Sequence, residues 1–336
     1  MTRRYYYQKL SQPHRSNQVH HALHGSTMLI SNMEKVPLLI IFVTLLIGGV
    51  ITVILYGFII FKMVLTRSRN GGLNHILLIS MFYQFNYGLF SIAHSSYCIF
   101  NLVFESDVNE TVMFWTALPL YTIRMVLPVS SLFLALDRLL AMRFPIKYRF
   151  VILDKLSVAV GICTTGVVLI NLVIYLMKRE RSIASPYIFG HYVATVVIQL
   201  LNDVYNGFCV LNMIATLVFL KSFYDFVKVQ KIMRTLSNDQ YRNVHTTNIM
   251  VFYQLLVELI FEVVPSFATS IALYGFNTNW PQMIGPYVLA LQVIYTTISS
   301  MTYTWKMRVC KCTNVVRTSE GMYSNQILNS ASSHYR

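Results

Sequence analysis

The chain has 336 residues, 55% of them apolar and only 12% charged; soluble domains carry about 25% charged residues, so a water-soluble globular class is excluded first. A net charge of +14 marks nucleic-acid binding in a soluble domain, but in so apolar a chain the basic residues belong to cytoplasmic loops, and nucleic acid is set aside as a partner. The five cysteines (98, 163, 209, 310, 312) lie in apolar runs or near the end and make no disulfide framework.

Residues 1–36 are polar and basic at the start, with His14, His20, His21 and His24. They hold no apolar core of signal-peptide length and lack the flanking structure a metal site needs, so they read as an extracellular tail. Pro37 to Phe61 is uncharged, and about 20 such residues cross a bilayer as a helix. Lys62, Arg67 and Arg69 follow it, whereas Glu34 and Lys35 cancel before it; this asymmetry places the N-terminus outside. A second span is expected over 73–100. The acidic loop after it carries the sequon Asn109-Glu110-Thr111, a glycosylation acceptor on the lumenal side.

Further spans are expected over 112–136, 156–177, 187–220, 247–274 and 282–305. Phe223, Phe226, Val229 and Met233 recur at helical spacing, so helix five is expected to continue into the cytoplasm. Inner segments hold 18 of the 27 Lys and Arg residues. The expected fold is therefore an all-α membrane protein: a seven-helix bundle over 37–305, N-terminus outside, and a cytoplasmic tail over 306–336. In that tail Cys310 and Cys312, beside Lys and Arg, suit S-palmitoylation as well as they suit free thiols.

Four charged side chains fall inside the expected spans: Arg124, Asp203, Glu258 and Glu262. Each costs about 2.5–3.5 kcal/mol at mid-bilayer, so such residues face the bundle interior and pair. At 1.5 Å per residue, Arg124 stands roughly 21 Å above the inner end of helix three and Glu262 at a similar height in helix six. They are expected to form an intramembrane pair or the floor of a ligand pocket, with Glu258 one turn deeper. Pro265 frees a backbone carbonyl just after Glu262 and allows a bend. His94 and His191 could share the outer side, but no clustered third ligand accompanies them. The chain is thus read as a non-enzyme without metal or cofactor.

The inner end of the third span reads Ala135-Leu136-Asp137-Arg138-Leu139-Leu140-Ala141-Met142, then Phe144-Pro145-Ile146-Lys147-Tyr148. This string resembles the Asp-Arg-Tyr region of G-protein-coupled receptors and, in detail, nematode serpentine chemoreceptors, most like class BC (Srbc). The resemblance covers roughly 37–310. It implies a chemosensory receptor in the plasma membrane of sensory cilia, binding an odorant or pheromone-like small molecule in the outer half. It also implies a heterotrimeric G protein as partner, met by Asp137, Arg138, Pro145, Ile146, Lys147 and Tyr148 on a basic face near anionic lipid, with Pro265 as the pivot of helix six. The sequence departs from the rhodopsin-like pattern elsewhere. Gly48-Gly49 stands without the usual Asn, helix seven has no Asn-Pro-x-x-Tyr, Leu139 replaces the motif tyrosine, and the loop 178–190 has no cysteine for an outer disulfide. The alternative is a seven-span ligand-gated channel or transporter using the intramembrane charges.

Overall fold

A computed structural model describes residues 32–70, 75–144, 147–148, 152–180, 187–233, 252–254, 256–276 and 286–305. The chain divides after Pro37, and of its first unit only the opening turn of α1 is described. The elements are α1 (Asn32–Asn70), α2 (His75–Phe104), α3 (Glu110–Arg143), α4 (Leu153–Met177), α5 (Thr195–Met233), α6 (Phe252–Phe276) and a last helix, α7, over 287–305. The described residues form no strand beyond one isolated bridge, Arg179 with Val193. This is an all-α protein.

Six of the helices are long and apolar enough to cross a membrane. Their outward faces explain why that is the right solvent. On α1, Ile40, Val43, Ile47, Val50, Ile54, Phe58 and Phe61 follow one another at three- and four-residue steps and are all exposed. Such a stripe is the face a soluble helix would bury; here it is the lipid face. The opposite face buries Phe42, Leu45, Tyr56 and Ile59. The helix over 287–305 is not among the six. Its apolar residues are diluted by Gln292, Thr296, Thr297, Ser299, Ser300 and Thr304, all buried in the bundle.

Burial ranks the helices. In α3, 56% of the most apolar stretch is buried, against 17% in α4 and in α5, so α3 is the central post. It packs against α2, α4 and α5. Close approach elsewhere needs Gly48-Gly49, in the place where the receptor pattern has a polar residue. A Cβ on Gly49 would stand 2.9 Å from the Gly88 carbonyl oxygen of α2, and one on Gly48 would stand 2.9 Å from Val293 of α7. The two glycines therefore let α1 touch two neighbours at once. Thr52 secures the same seam, 3.0 Å from the Thr297 hydroxyl.

One expected boundary is corrected, and one helix shows a feature not expected. Helix five begins at Thr195, not at 187. Residues 187–194 instead form the closing arm of the loop between α4 and α5, with a 3-10 turn over Phe189–Tyr192. Glu180 N–H donates to Tyr192 O at 2.8 Å and Ala194 N–H to Lys178 O at 3.2 Å, so the arm has backbone partners that a helix would forgo. Helix six is not uniform either: Leu259–Val263 is π-helical, with Val264 N–H bonded to Leu259 O. At the other end, α5 runs on to Met233, as the apolar spacing predicts.

Candidate functional site

Residues of chemical interest fall into two layers. The inner layer starts at the end of α3. Asp137 is fully buried and meets Arg138 at 3.1 Å. Tyr148, from the turn after α3, donates its hydroxyl to Asp137 Oδ1. Burial and the carboxylate beside it push the Tyr148 phenol above its ordinary range, so it stays protonated and remains a donor. Lys147 next to it is exposed, while Pro145 and Ile146 lie outside the described residues.

Above this lies a chain of uncharged polar groups. Tyr56 donates to Gln84 Oε1, Gln84 Nε2 donates to Tyr295 at 3.4 Å, Gln254 Nε2 donates to Tyr295 at 3.4 Å, and Tyr303 donates to Gln254 Oε1. All five residues are buried. The chain joins α1, α2, α6 and α7, where lipid offers no competing donors. Reading the spans for charge alone passes over it. Its only sequence signal is glutamine inside two apolar runs.

The π segment forms the step between the layers. Glu258 precedes it and Glu262 lies within it, and both are buried. Asn212 of α5 donates to Glu258 Oε1 at 2.5 Å. Glu262 Oε1 accepts from Tyr205 at 2.7 Å and from Gln292 at 3.3 Å. The second oxygen of each carboxyl has no hydrogen-bond partner. Pro265 follows one turn later, and its carbonyl accepts the Thr269 hydroxyl at 2.8 Å. Proline and a π turn are both recognised causes of helix bending, and here they adjoin.

Arg124 does not reach Glu262. Tyr205 stands between them: its hydroxyl bonds Glu262, and its ring carries the Arg124 guanidinium 4.5 Å from the centroid. Such a contact is worth about 0.5–2 kcal/mol. Among the described residues, Arg124 and Glu262 form no direct ion pair. Asp203 joins neither. It is exposed on α5 and accepts the Tyr274 hydroxyl with both oxygens at 2.9 Å.

The outer layer is aromatic. Phe189, carried in by the loop arm, is 1% exposed. It stacks on Tyr121 at 4.5 Å and Phe114 at 5.7 Å, and meets Tyr175 edge-on at 5.3 Å. Arg179, at the base of the loop, lies over the Phe114 ring at 4.6 Å. Thus the loop without a cysteine is anchored by one ring in a three-ring box. Outside the spans, burial pushes the Tyr187 phenol up to about 12 and holds the His191 imidazole below its ordinary range. Asn109 is exposed and caps α3, accepting from the Thr111 and Val112 N–H groups at 3.0 and 3.3 Å through Oδ1. Its amide nitrogen, the atom a glycan would take, is not used in the cap. Cys310 and Cys312 lie outside the described residues.

Compared with protein-family models and with curated proteins, the chain finds no match. The resemblance carried by 135–148 therefore stands on those residues alone.

Proposed function

We propose that this chain is a seven-span G-protein-coupled chemosensory receptor of the nematode serpentine type. It binds a small molecule in the outer half of the bundle and activates a heterotrimeric G protein on the cytoplasmic face. The observation that carries the reading is the inner end of α3. There a fully buried acid meets a partly covered arginine, and the tyrosine of the following loop closes over the acid. Pairing of this kind holds Arg138 in place until a partner offers it something better. The Pro265–π-turn unit supplies a bend in α6, and a ligand shifts the bundle only by binding one bend state more tightly. The N-terminus faces outside, with Asn109 on the same side and the basic loops and tail near anionic lipid.

The test uses purified full-length chain reconstituted with a heterotrimeric G protein. Nucleotide exchange is measured with an odorant panel. Wild type is expected to accelerate exchange, and Arg138→Ala to return it to the receptor-free rate while leaving ligand-induced stabilisation intact. Acceleration that survives in Arg138→Ala rejects the role given to that residue. Loss of the glycosidase-sensitive gel shift in Asn109→Gln checks the orientation.

The second reading, a ligand-gated channel or transporter, draws on the unpartnered oxygens of Glu258 and Glu262. It requires ion flux in liposomes that Glu258→Gln abolishes.

A further inference from the structure

We infer that the outer pocket recognises a small monocarboxylate, and that Arg124 is the residue that binds its carboxylate. The inference rests on the receptor reading for its biological setting, but on Arg124 alone for its chemistry.

Arginine is charged at every accessible pH and brings five N–H donors in a planar fork. In a helix bundle such a group is expected to find an acid. Arg124 has none in contact among the described residues. Its Nε is buried without a hydrogen-bond partner. Its nearest partner is the face of Tyr205, at 4.5 Å. Tyr205 holds the cation from one side, and the Nε N–H is left without a partner. The side chain also keeps accessible surface, although Thr122, Ile123, Met125 and Val126 around it on α3 are buried. Arg124 is therefore less completely enclosed than its neighbours on α3.

The walls say what else the ligand must be. Tyr87, Tyr121 and Tyr175 lie within electrostatic range of the guanidinium, and Phe189 stacks on Tyr121 to form the roof. Aromatic walls take an apolar or aromatic body. Glu262 sets the charge of the head group. It sits across Tyr205 from Arg124, so a second negative charge on the ligand would be repelled at short range. A monoanion whose two oxygens lie in one plane meets the fork edge-on. A carboxylate fits both conditions; a phosphate or sulfate dianion can meet the fork but carries the second charge.

The same site explains the intervening Tyr205. A direct Arg124–Glu262 bridge would satisfy the guanidinium and close it to ligands. With the tyrosine interposed, Glu262 is held by a neutral donor and Arg124 remains available.

The experiment compares matched probes on the purified full-length chain in detergent: 3-phenylpropanoate, octanoate and benzoate, each against its own primary amide and alcohol. Thermal stabilisation is read at millimolar concentration, without G protein. In wild type at least one acid is expected to bind about 10–100-fold more tightly than its amide, the usual worth of a charge-assisted pair. Arg124→Gln should lose that preference while keeping the alcohol's affinity, and Arg124→Lys should retain part of it. The lysine variant guards against a folding defect, because it preserves the charge. Acid and amide binding equally in every pair would overturn the inference, as would an acid preference that survives in Arg124→Gln. A carboxylate preference without any nucleotide exchange would sink the receptor reading and leave the site standing. Exchange driven only by neutral ligands would do the reverse.

Discussion

The inner and outer halves of this bundle are held by different chemistry. Inside, Tyr56, Gln84, Tyr295, Gln254 and Tyr303 hand hydrogen bonds from helix to helix, and Asp137 is bonded by both Arg138 and Tyr148. Outside, the side-chain contacts are mainly between rings: Phe189 rests among Phe114, Tyr121 and Tyr175, and Arg124 leans on a tyrosine face. Directional bonds in lipid lock a geometry, because breaking one leaves a polar group with nowhere to turn. Ring contacts are less exacting in angle and yield when a better occupant arrives. On the proposed receptor reading, the half that holds its shape is bonded and the half that admits a ligand is stacked.

The largest expected effect separates the two halves most sharply. Phe189→Ala empties the three-ring box and should cost about 3 kcal/mol, as for other buried aromatics. That loss is expected to be local. Hydrogen exchange should rise across 187–194 while the midpoint of global thermal unfolding barely moves. A matching fall in the global midpoint would erase the distinction. Gln254→Leu should do the opposite. It strands the Tyr303 hydroxyl and removes one of the two donors to Tyr295, costs about 2 kcal/mol, and lowers the global midpoint with no change in exchange over 187–194.

A smaller effect is expected at the inner mouth. Tyr148→Phe removes one bond from Asp137 and should cost about 1 kcal/mol. With the Arg138 clasp loosened, basal nucleotide exchange should rise about fivefold. Unchanged basal exchange would mean the tyrosine only packs.

The smallest effect is a pH dependence of the outer loop. Burial holds His191 below the ordinary value of 6.5, so the folded loop favours the neutral ring. Its contribution is fully present above pH 6.5, and is lost as pH falls below that value. Protection of the 187–194 amides, corrected for the intrinsic exchange rate at each pH, should therefore fall between pH 7.5 and pH 5.5, and His191→Phe should remove most of that change.

Much of this architecture was legible in the residues. Six apolar runs became long helices because length and apolarity are what a bilayer selects, and α5 continued past the span because Phe223 kept the helical period. Charge inside a span pointed to Arg124, Glu258 and Glu262. The sequence misled at 187–194, because Tyr187-Ile188-Phe189 is as apolar as a span. Hydropathy does not distinguish a residue buried by lipid from one buried by three rings. Pro186 and Gly190 were the available warnings. Tyr205 and the glutamine chain were passed over for a related reason. In a chain with 22 tyrosines and 21 phenylalanines, one tyrosine carries no mark of its partner. The π segment has no signature beyond the nearby proline.

That π segment has a consequence measured in single residues. A π turn is an α turn with one residue inserted, and one residue is about 100° of rotation around a helix. Ile260 lies within the segment and is 51% exposed, on the lipid side. Deleting it would turn the π turn back into an α turn, so Glu258 would still face Asn212, and Gln254 would still face Tyr295 and Tyr303. A deletion elsewhere in α6 has no extra residue to absorb it and would rotate one side of the helix by about 100° against the other. The inserted residue thus makes this turn a place where a three-nucleotide deletion leaves the two halves of the helix aligned.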